Sequence, residues 1–242
     1  MRRFALLILC FITTTSVNAA PAFNSEEELM RWVTYYYKKP QPARIPEAVK
    51  YLNQVGALSN QNSIAPIFGF LSGVFSQNPQ RVSDWINELT SLGEKELGTV
   101  VLGIWYADLP DSKATVYALL EKYPKLKSDF EYLYKGGPMV IEKIPLDQGP
   151  WVLDALWGKF MATGDVAPVE RVISALPWVN VKGNIDRLMV GGSARWSLTS
   201  NAVQHKRVLE ICERLATEQS SETTIELLKV IKAAKKELQG LK

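Results

Sequence analysis

Cysteine and histidine are nearly missing from this 242-residue chain, which has two cysteines and one histidine. A zinc site needs clustered His, Cys or carboxylate ligands, and a disulfide framework needs cysteines in pairs. Cys10 lies in an N-terminal segment that we expect to be removed, which would leave Cys212 as the only cysteine. We therefore expect no internal disulfide, no metal and no cofactor, and we expect Cys212 to be a buried thiol.

A long apolar run is also missing. The N-terminal run at residues 4–12 has nine residues, whereas a membrane span needs about 20. Arg2 and Arg3 precede this run and small residues follow it, which is the pattern of a secretory signal peptide. We predict a signal peptide at residues 1–19, cleavage after Ala19, a mature periplasmic or secreted chain, and no membrane span. A lipid anchor on Cys10 is the less favoured alternative, because Leu9 stands where a small residue would be needed.

The chain has no strong charge of either sign. It contains 28 basic and 25 acidic residues, and removal of residues 1–19 takes away only Arg2 and Arg3. The mature chain would therefore be almost neutral, which argues against nucleic acid as a partner.

Helical periodicity fills most of the remaining sequence. Ser25 followed by Glu28 is a capping-box pattern, and apolar residues then recur at helical spacing. Proline and glycine divide the chain into about ten predicted helices. The pattern breaks at residues 137–150, which contain two glycines and three prolines; within them, residues 139–144 alternate like a short extended piece. We predict one helical-repeat domain at residues 20–242, with a possible joint at residues 136–150.

Glycines recur inside the first helix of successive helix pairs. Glycine within a helix costs about 1 kcal/mol relative to alanine, so a repeated glycine indicates close approach of a neighbouring helix. We expect such contacts at Gly73, Gly103, Gly158 and Gly192. The sequence thus predicts an all-α fold of stacked antiparallel helical hairpins.

One predicted hairpin, at residues 156–177, resembles a tetratricopeptide repeat. Trp157 and Gly158 match the early Leu-Gly pair, Gly164 and Asp165 match the turn, and Pro177 matches the terminal proline. The two glycines are one residue too close, and the alanine of the second helix is out of phase. The resemblance implies an α-solenoid that binds peptides or protein partners, and it implies no chemistry.

Catalytic patterns are weak by comparison. Ser197 or Ser200 beside His205 lacks the glycine-flanked elbow of a serine hydrolase, and we interpret this stretch as a corner between two helices, with Ser200 or Asn201 as the cap. Paired carboxylates such as Asp84 and Glu88 support an alternative, a secreted hydrolase on an all-α frame.

Aromatic and arginine side chains near helix ends are the candidate partner-binding residues. Three consecutive tyrosines span most of a helix circumference, so at least one is expected outside the core. We select Tyr35, Tyr36, Tyr37, Arg195 and Trp196 as candidates, because tyrosine, tryptophan and arginine are favoured at interfaces. The sequence therefore predicts an exported binding or scaffold protein with a protein or peptide partner, rather than an enzyme.

Overall fold

The structure, a computed structural model, describes residues 23–89, 91–218 and 220–241. In these ranges the secondary structure is helical and contains no strand, which confirms the predicted all-α class. Twelve α-helices lie in these ranges, and short 3₁₀ turns occur in some of the connections between them. They are α1 (Glu26–Thr34), α2 (Ile45–Gln54), α3 (Gln61–Gln77), α4 (Val82–Leu89), α5 (Glu94–Trp105), α6 (Ser112–Lys122), α7 (Pro124–Asp129), α8 (Trp151–Thr163), α9 (Val166–Ile173), α10 (Ile185–Gln204), α11 (Lys206–Leu215) and α12 (Ser221–Gly240).

Side-chain caps explain where some of these helices begin and end. Ser25 caps α1 by accepting a hydrogen bond from the backbone N–H of Glu28 at 3.1 Å, as predicted. The reciprocal bond of a capping box is shifted by one residue, because Glu28 accepts from the N–H of Asn24 at 3.0 Å. Asn78 ends α3 rather than capping the next helix, since its side-chain amide donates to the carbonyl of Val74 at 2.8 Å.

Helices α3 and α8 form the centre of the molecule and make its most extensive interhelical contact. A Cβ atom added at Gly69 would overlap the carbonyl group of Ala155, and one added at Gly158 would overlap that of Pro66. A Cβ atom at Gly73 would lie 2.7 Å from the Cβ of Ala162. The two backbones therefore approach closely, which explains why glycine is kept in the interior of both helices.

Three of the four predicted glycine contacts occur, and the fourth is wrong. Gly103 on α5 makes a close contact, as Gly73 and Gly158 do. A Cβ at Gly103 would lie 2.8 Å from the Cβ of Leu71 on α3. Gly192 faces open space, with nothing within 4 Å of an added Cβ. Its neighbour Gly191 makes the close contact instead, against the backbone of the turn Leu176–Asn180.

The spatial order of the helices departs from their order along the chain. Helix α3 contacts α5, which comes two helices later, but it packs more extensively against α8, which comes five helices later. In a stack that followed chain order, α8 would pack mainly on α7 rather than on α3. The second half of the sequence therefore packs back onto the first half through α3.

The predicted joint at residues 136–150 connects α7 to α8 and so links the two halves of the sequence. Its alternating residues do not form an extended piece, because a 3₁₀ turn covers Ile141–Lys143. Ile141 and Ile144 are buried, and the Glu142 carboxylate bonds the ammonium of Lys159 on α8 at 2.8 Å. The joint is thus packed onto the central helix pair.

The buried apolar side chains form two large clusters that meet at α3. One cluster is built from residues between Tyr36 and Leu133, with Ala162 added from α8. The other is built from residues between Ile141 and Ala234, with two residues added from α3. A small third cluster surrounds Phe23. Helix α3 therefore links the two halves of the sequence into one packed body.

The segment that resembles a tetratricopeptide repeat is a helical hairpin formed by α8 and α9. Gly164 ends α8 with a φ of +70°, a left-handed conformation that glycine adopts readily. Helix α9 begins directly after Asp165. Pro177 lies in the following turn, Leu176–Asn180, rather than at the end of a longer second helix.

The predicted corner near Ser200 is wrong in position. Helix α10 continues through Ser197, Ser200 and Asn201, and it ends at Gln204. His205 has an extended backbone and separates α10 from α11. Asn201 does not cap a helix start, because it lies within α10 and its side chain donates to the Ser197 carbonyl at 2.9 Å.

Two predictions concern the N-terminal segment and membrane spans. The predicted signal peptide at residues 1–19 and its cleavage site after Ala19 lie outside the described residues. Among the helices of the described ranges, none combines the length and apolar character that crossing a bilayer requires.

Candidate functional site

An apolar groove lies between α1, α2, α3 and α8 in the described part of the chain. Its volume is about 350 Å³, within the range of small-molecule and side-chain binding sites. Its apolar lining includes Met30, Val33, Val55, Ile67, Phe70 and Met161. Glu26 is the only ionisable residue among the described residues that line it.

The floor of this apolar groove is the contact between α3 and α8. Pro66 and Gly158, which touch through their backbones, both line it. Proline has no N–H, so the carbonyl of Asn62, one turn earlier in α3, lacks the helix donor that residue 66 would otherwise supply. Asn62 also lines the groove. The cavity therefore combines an apolar floor with polar groups of α3 at its edge.

One wall of the apolar groove is α1, which an ion pair attaches to the turn before α2. The guanidinium of Arg44 donates to the Glu28 carboxylate at 2.9 Å. This bond, together with hydrogen bonds from Asn24, lowers the pKa of Glu28 to about 2. Met30 and Val55 stand exposed at the rim, on α1 and just after α2 respectively. The wall is thus held in place by contacts outside the cavity.

His205 is completely buried inside an aromatic shell. The rings of Tyr35, Tyr37 and Phe160 have centroids 5.2, 5.8 and 5.7 Å from the imidazole. The Tyr37 hydroxyl lies 3.3 Å from Nδ1, and buried Nε2 has no hydrogen-bond partner in the described part of the chain. Burial and the nearby Lys38 lower the pKa of His205 to about 4, so the imidazole is neutral near pH 7.

This histidine joins three elements and does not form a serine site. It connects the N-terminal tyrosines to α8 and to the break between α10 and α11. Ser197 donates its hydroxyl to the Ala194 carbonyl at 3.3 Å, and Ser200 is exposed on α10. The structure thus gives His205 a packing role in this corner.

The three tyrosines divide between core and surface. Tyr36 is buried against Trp32 and Phe70, with ring centroids 5.0 and 5.2 Å away, so its side chain cannot reach a partner. Its selection as a partner-binding candidate is therefore wrong. Tyr35 and Tyr37 are half-buried and pack against His205.

Arg195 and Trp196 are neighbours on α10, but the Arg195 side chain contacts α12 and the Trp196 side chain is exposed. The guanidinium of Arg195 bonds Glu226 of α12 at 2.8 Å. Glu226 is buried, and its pKa is lowered by hydrogen bonds from Lys229 and Asn180 and by the charge of Arg195. Trp196 points into solvent. Arg195 therefore helps to connect two helices, whereas the Trp196 ring remains available.

The remaining candidate chemistry is dispersed. Cys212 is a buried free thiol, as expected, and burial raises its pKa to about 12. Asp84 and Glu88 are both exposed on α4, so this pair does not form an enclosed carboxylate site. In the described ranges, no three His, Cys, Asp or Glu side chains come together as a metal site.

Comparison with known proteins finds no matching family model, no matching curated protein and no matching solved structure. The resemblance of residues 156–177 to a tetratricopeptide repeat therefore stays a prediction. The arguments about function depend on the surfaces of this chain alone.

Sequence reasoning missed the apolar groove, although one signal pointed to it. Met30 lies beside the apolar stripe of α1, next to Leu29, and is therefore an apolar residue without a place in the core. Ile67 and Phe70 belong to a helix that is apolar on most sides, so its periodicity does not distinguish groove from core. The other half of the cavity floor, from α8, comes from a segment more than 80 residues away in sequence.

Proposed function

We propose that this chain is an exported helical-repeat protein that binds protein or peptide partners outside the cytoplasm. The observation that supports this best is the apolar groove, with its volume of about 350 Å³ and, among the described residues, a single ionisable lining residue, Glu26. A concave apolar cavity with a few polar groups at its edge is the usual form of a binding site. Such a lining suits recognition, whereas hydrolysis by paired carboxylates needs two acids at one cavity.

The lining also indicates what kind of peptide fits. Exposed Met30 and Val55 at the rim would be covered by large apolar side chains of a partner segment. The carbonyl of Asn62 would accept a hydrogen bond from a backbone N–H of that segment. Glu26 would favour a basic residue next to the apolar ones. The proposed ligand is therefore a short apolar peptide segment flanked by Lys or Arg.

A displayed peptide library tests this proposal without a known partner. Peptides selected on the folded protein should carry large apolar residues beside a basic one. Met30→Lys places a charge at the rim of the apolar groove, and we expect it to weaken binding of a selected peptide at least about tenfold, which corresponds to about 1.4 kcal/mol. Titration calorimetry on the parent and the variant gives this ratio.

Met139→Lys is the matched control, because Met139 is an exposed methionine in the segment between α7 and α8, outside the lining. It should bind the selected peptide as the parent does. Equal binding by the parent and by Met30→Lys would show that the peptide does not occupy the apolar groove and would remove the main support for the proposal.

A further inference from the structure

Among the described residues, helix α10 carries an apolar face that no other element covers, on the side opposite its core contacts. Ile185, Leu188, Met189 and Trp196 are exposed by 74%, 44%, 51% and 73% respectively. Their spacing follows the helical repeat, so these side chains lie along one side of the helix together with Gly192. We call these five residues the α10 face. It does not belong to the apolar groove, and the inference drawn from it does not rest on the proposed function.

Gly192 is an exception among the glycines that lie inside α-helices. An added Cβ would meet another part of the chain within 3.0 Å at Gly69, Gly73, Gly98, Gly103, Gly158 and Gly191. At Gly192 it would meet nothing within 4 Å. Glycine in an exposed helix interior is unfavourable, and no contact within the described part of the chain accounts for this residue. Apart from Gly240, the last residue of α12, every other glycine in these α-helices marks the approach of another element.

We propose that the α10 face pairs with the same face of a second copy of this chain, with the two helices crossing antiparallel at Gly192. Most soluble oligomers are symmetric, and a twofold interface uses the same patch on both subunits. Gly192 at the crossing would let the two backbones come close. This pairing supplies the neighbour that Gly192 lacks among residues 23–89, 91–218 and 220–241 of its own chain.

The residues on either side of Gly192 are complementary in such a pair. Leu188 precedes Gly192 by four residues and Trp196 follows it by four. In an antiparallel pair centred on Gly192, each Trp196 therefore lies over Leu188 of the other copy, with Met189 beside it. Tryptophan is enriched among the residues that dominate interface energetics. The two ends of the face thus cover one another.

Charge does not oppose this pairing. Arg195 is the only charged residue between Leu188 and Thr199. Its guanidinium is ion-paired with Glu226 of the same chain at 2.8 Å, and Lys229 shares that carboxylate at 2.7 Å. Each copy thus brings to the pairing one arginine that already has an ion-pair partner in its own chain.

The size of the face agrees with a dimer. The exposed fractions of its four large side chains correspond to about 500 Å² of apolar surface per copy, and a standard interface buries about 800 Å² per partner. Polar residues along the rim, such as Ser193 and Ser200, would supply the remainder. An apolar patch of this size is at the upper end for a monomeric protein.

Sedimentation over a concentration series tests the pairing. We expect the parent to form a concentration-dependent dimer. Trp196→Ser and Gly192→Leu should weaken its association at least about tenfold, since one removes the largest side chain and the other blocks the crossing. Both positions are exposed, so the variants should stay folded, which circular dichroism verifies. Leu228→Ser is the matched control, because Leu228 is an exposed apolar residue of α12 outside the face, and it should dimerise like the parent.

Oxidative cross-linking tests the symmetry. Two copies of Gly192→Cys would meet at the crossing and form a disulfide-linked dimer, whereas Leu228→Cys would not; buried Cys212 should not interfere. A parent chain that stays monomeric at the highest concentration, a dimer that survives Trp196→Ser unchanged, or equal cross-linking at both positions would overturn the proposal. Because Leu228 and the α10 face lie outside the groove lining, peptide binding can persist or fail independently of these results.

Discussion

Replacement of Gly158 by alanine is the sharpest test of the packing between α3 and α8. The new methyl group would overlap the carbonyl group of Pro66 and would lie 2.7 Å from the backbone nitrogen of Phe70. Both neighbours are backbone atoms of a long central helix, so they cannot move aside as a flexible side chain would. The variant can fold only if α3 and α8 separate.

Two effects of opposite sign determine the size of the change. Alanine favours the helix by about 1 kcal/mol relative to glycine. Overpacking in a close-packed interior costs typically about 1–3 kcal/mol and more when backbone must shift. Because the clash is with backbone on the most extensive interhelical contact, we expect the cost to exceed the gain. The free energy of unfolding should fall by about 2 kcal/mol, which lowers the melting temperature by about 4–8 °C in a chain of this length.

Urea unfolding followed by tryptophan fluorescence measures this difference. Gly192→Ala is the matched control, because it adds the same methyl group where nothing lies within 4 Å. At sub-micromolar concentration, where pairing contributes little, it should stabilise the chain by up to about 1 kcal/mol. If Gly158→Ala were as stable as the parent or more stable, the close approach of α3 and α8 would be refuted.

Three further predictions address the histidine, the first helix and the N-terminus. The folded pKa of His205 is about 4, below its ordinary value of 6.5, so unfolded chains bind the proton more readily and stability is lost as pH falls from about 6.5 towards 4. Between about pH 7 and pH 4.5, His205 should lower the free energy of unfolding by about 2 kcal/mol, as measured by urea unfolding. His205→Gln should lack this contribution, and an equal loss in both proteins would contradict the prediction. Ser25→Ala should lower the free energy of unfolding by about 1 kcal/mol, and Ser25→Asp should restore the cap; unchanged urea midpoints would exclude this capping role. N-terminal sequencing of the exported protein should begin at Ala20, and intact Met1 or lipidated Cys10 would contradict the predicted processing.

Local features of this fold could be predicted from the sequence because their causes are local. The Ser25 cap depends on a hydroxyl three residues before the N–H that it accepts from. The glycines of α3 and α8 signal close contact because glycine is otherwise unfavourable in a helix. Cys212 could be placed in the core because it shares a helix face with Val208 and Ile211.

Long-range arrangement could not be predicted in the same way. Periodicity shows that α3 and α8 are apolar, but it does not show that they pack together across the helices between them. The choice between Gly191 and Gly192 depends on which side of α10 faces the turn Leu176–Asn180, and the two residues differ by only 100° around the helix. The predicted corner near Ser200 lies too early in the chain, because serine and asparagine favour helix caps but here lie inside α10.

The apolar groove, which the sequence analysis did not predict, depends on the same long-range contact between α3 and α8. Gly158 and Pro66 form both one of the close backbone approaches between α3 and α8 and part of the groove floor. A larger residue at 158 would therefore push apart the helices that shape the cavity, whereas a charge at Met30 changes only its rim. Loss of stability and loss of peptide binding should consequently occur together in Gly158→Ala and separately in Met30→Lys. This difference connects the glycine in the sequence, through helix packing, to the binding surface.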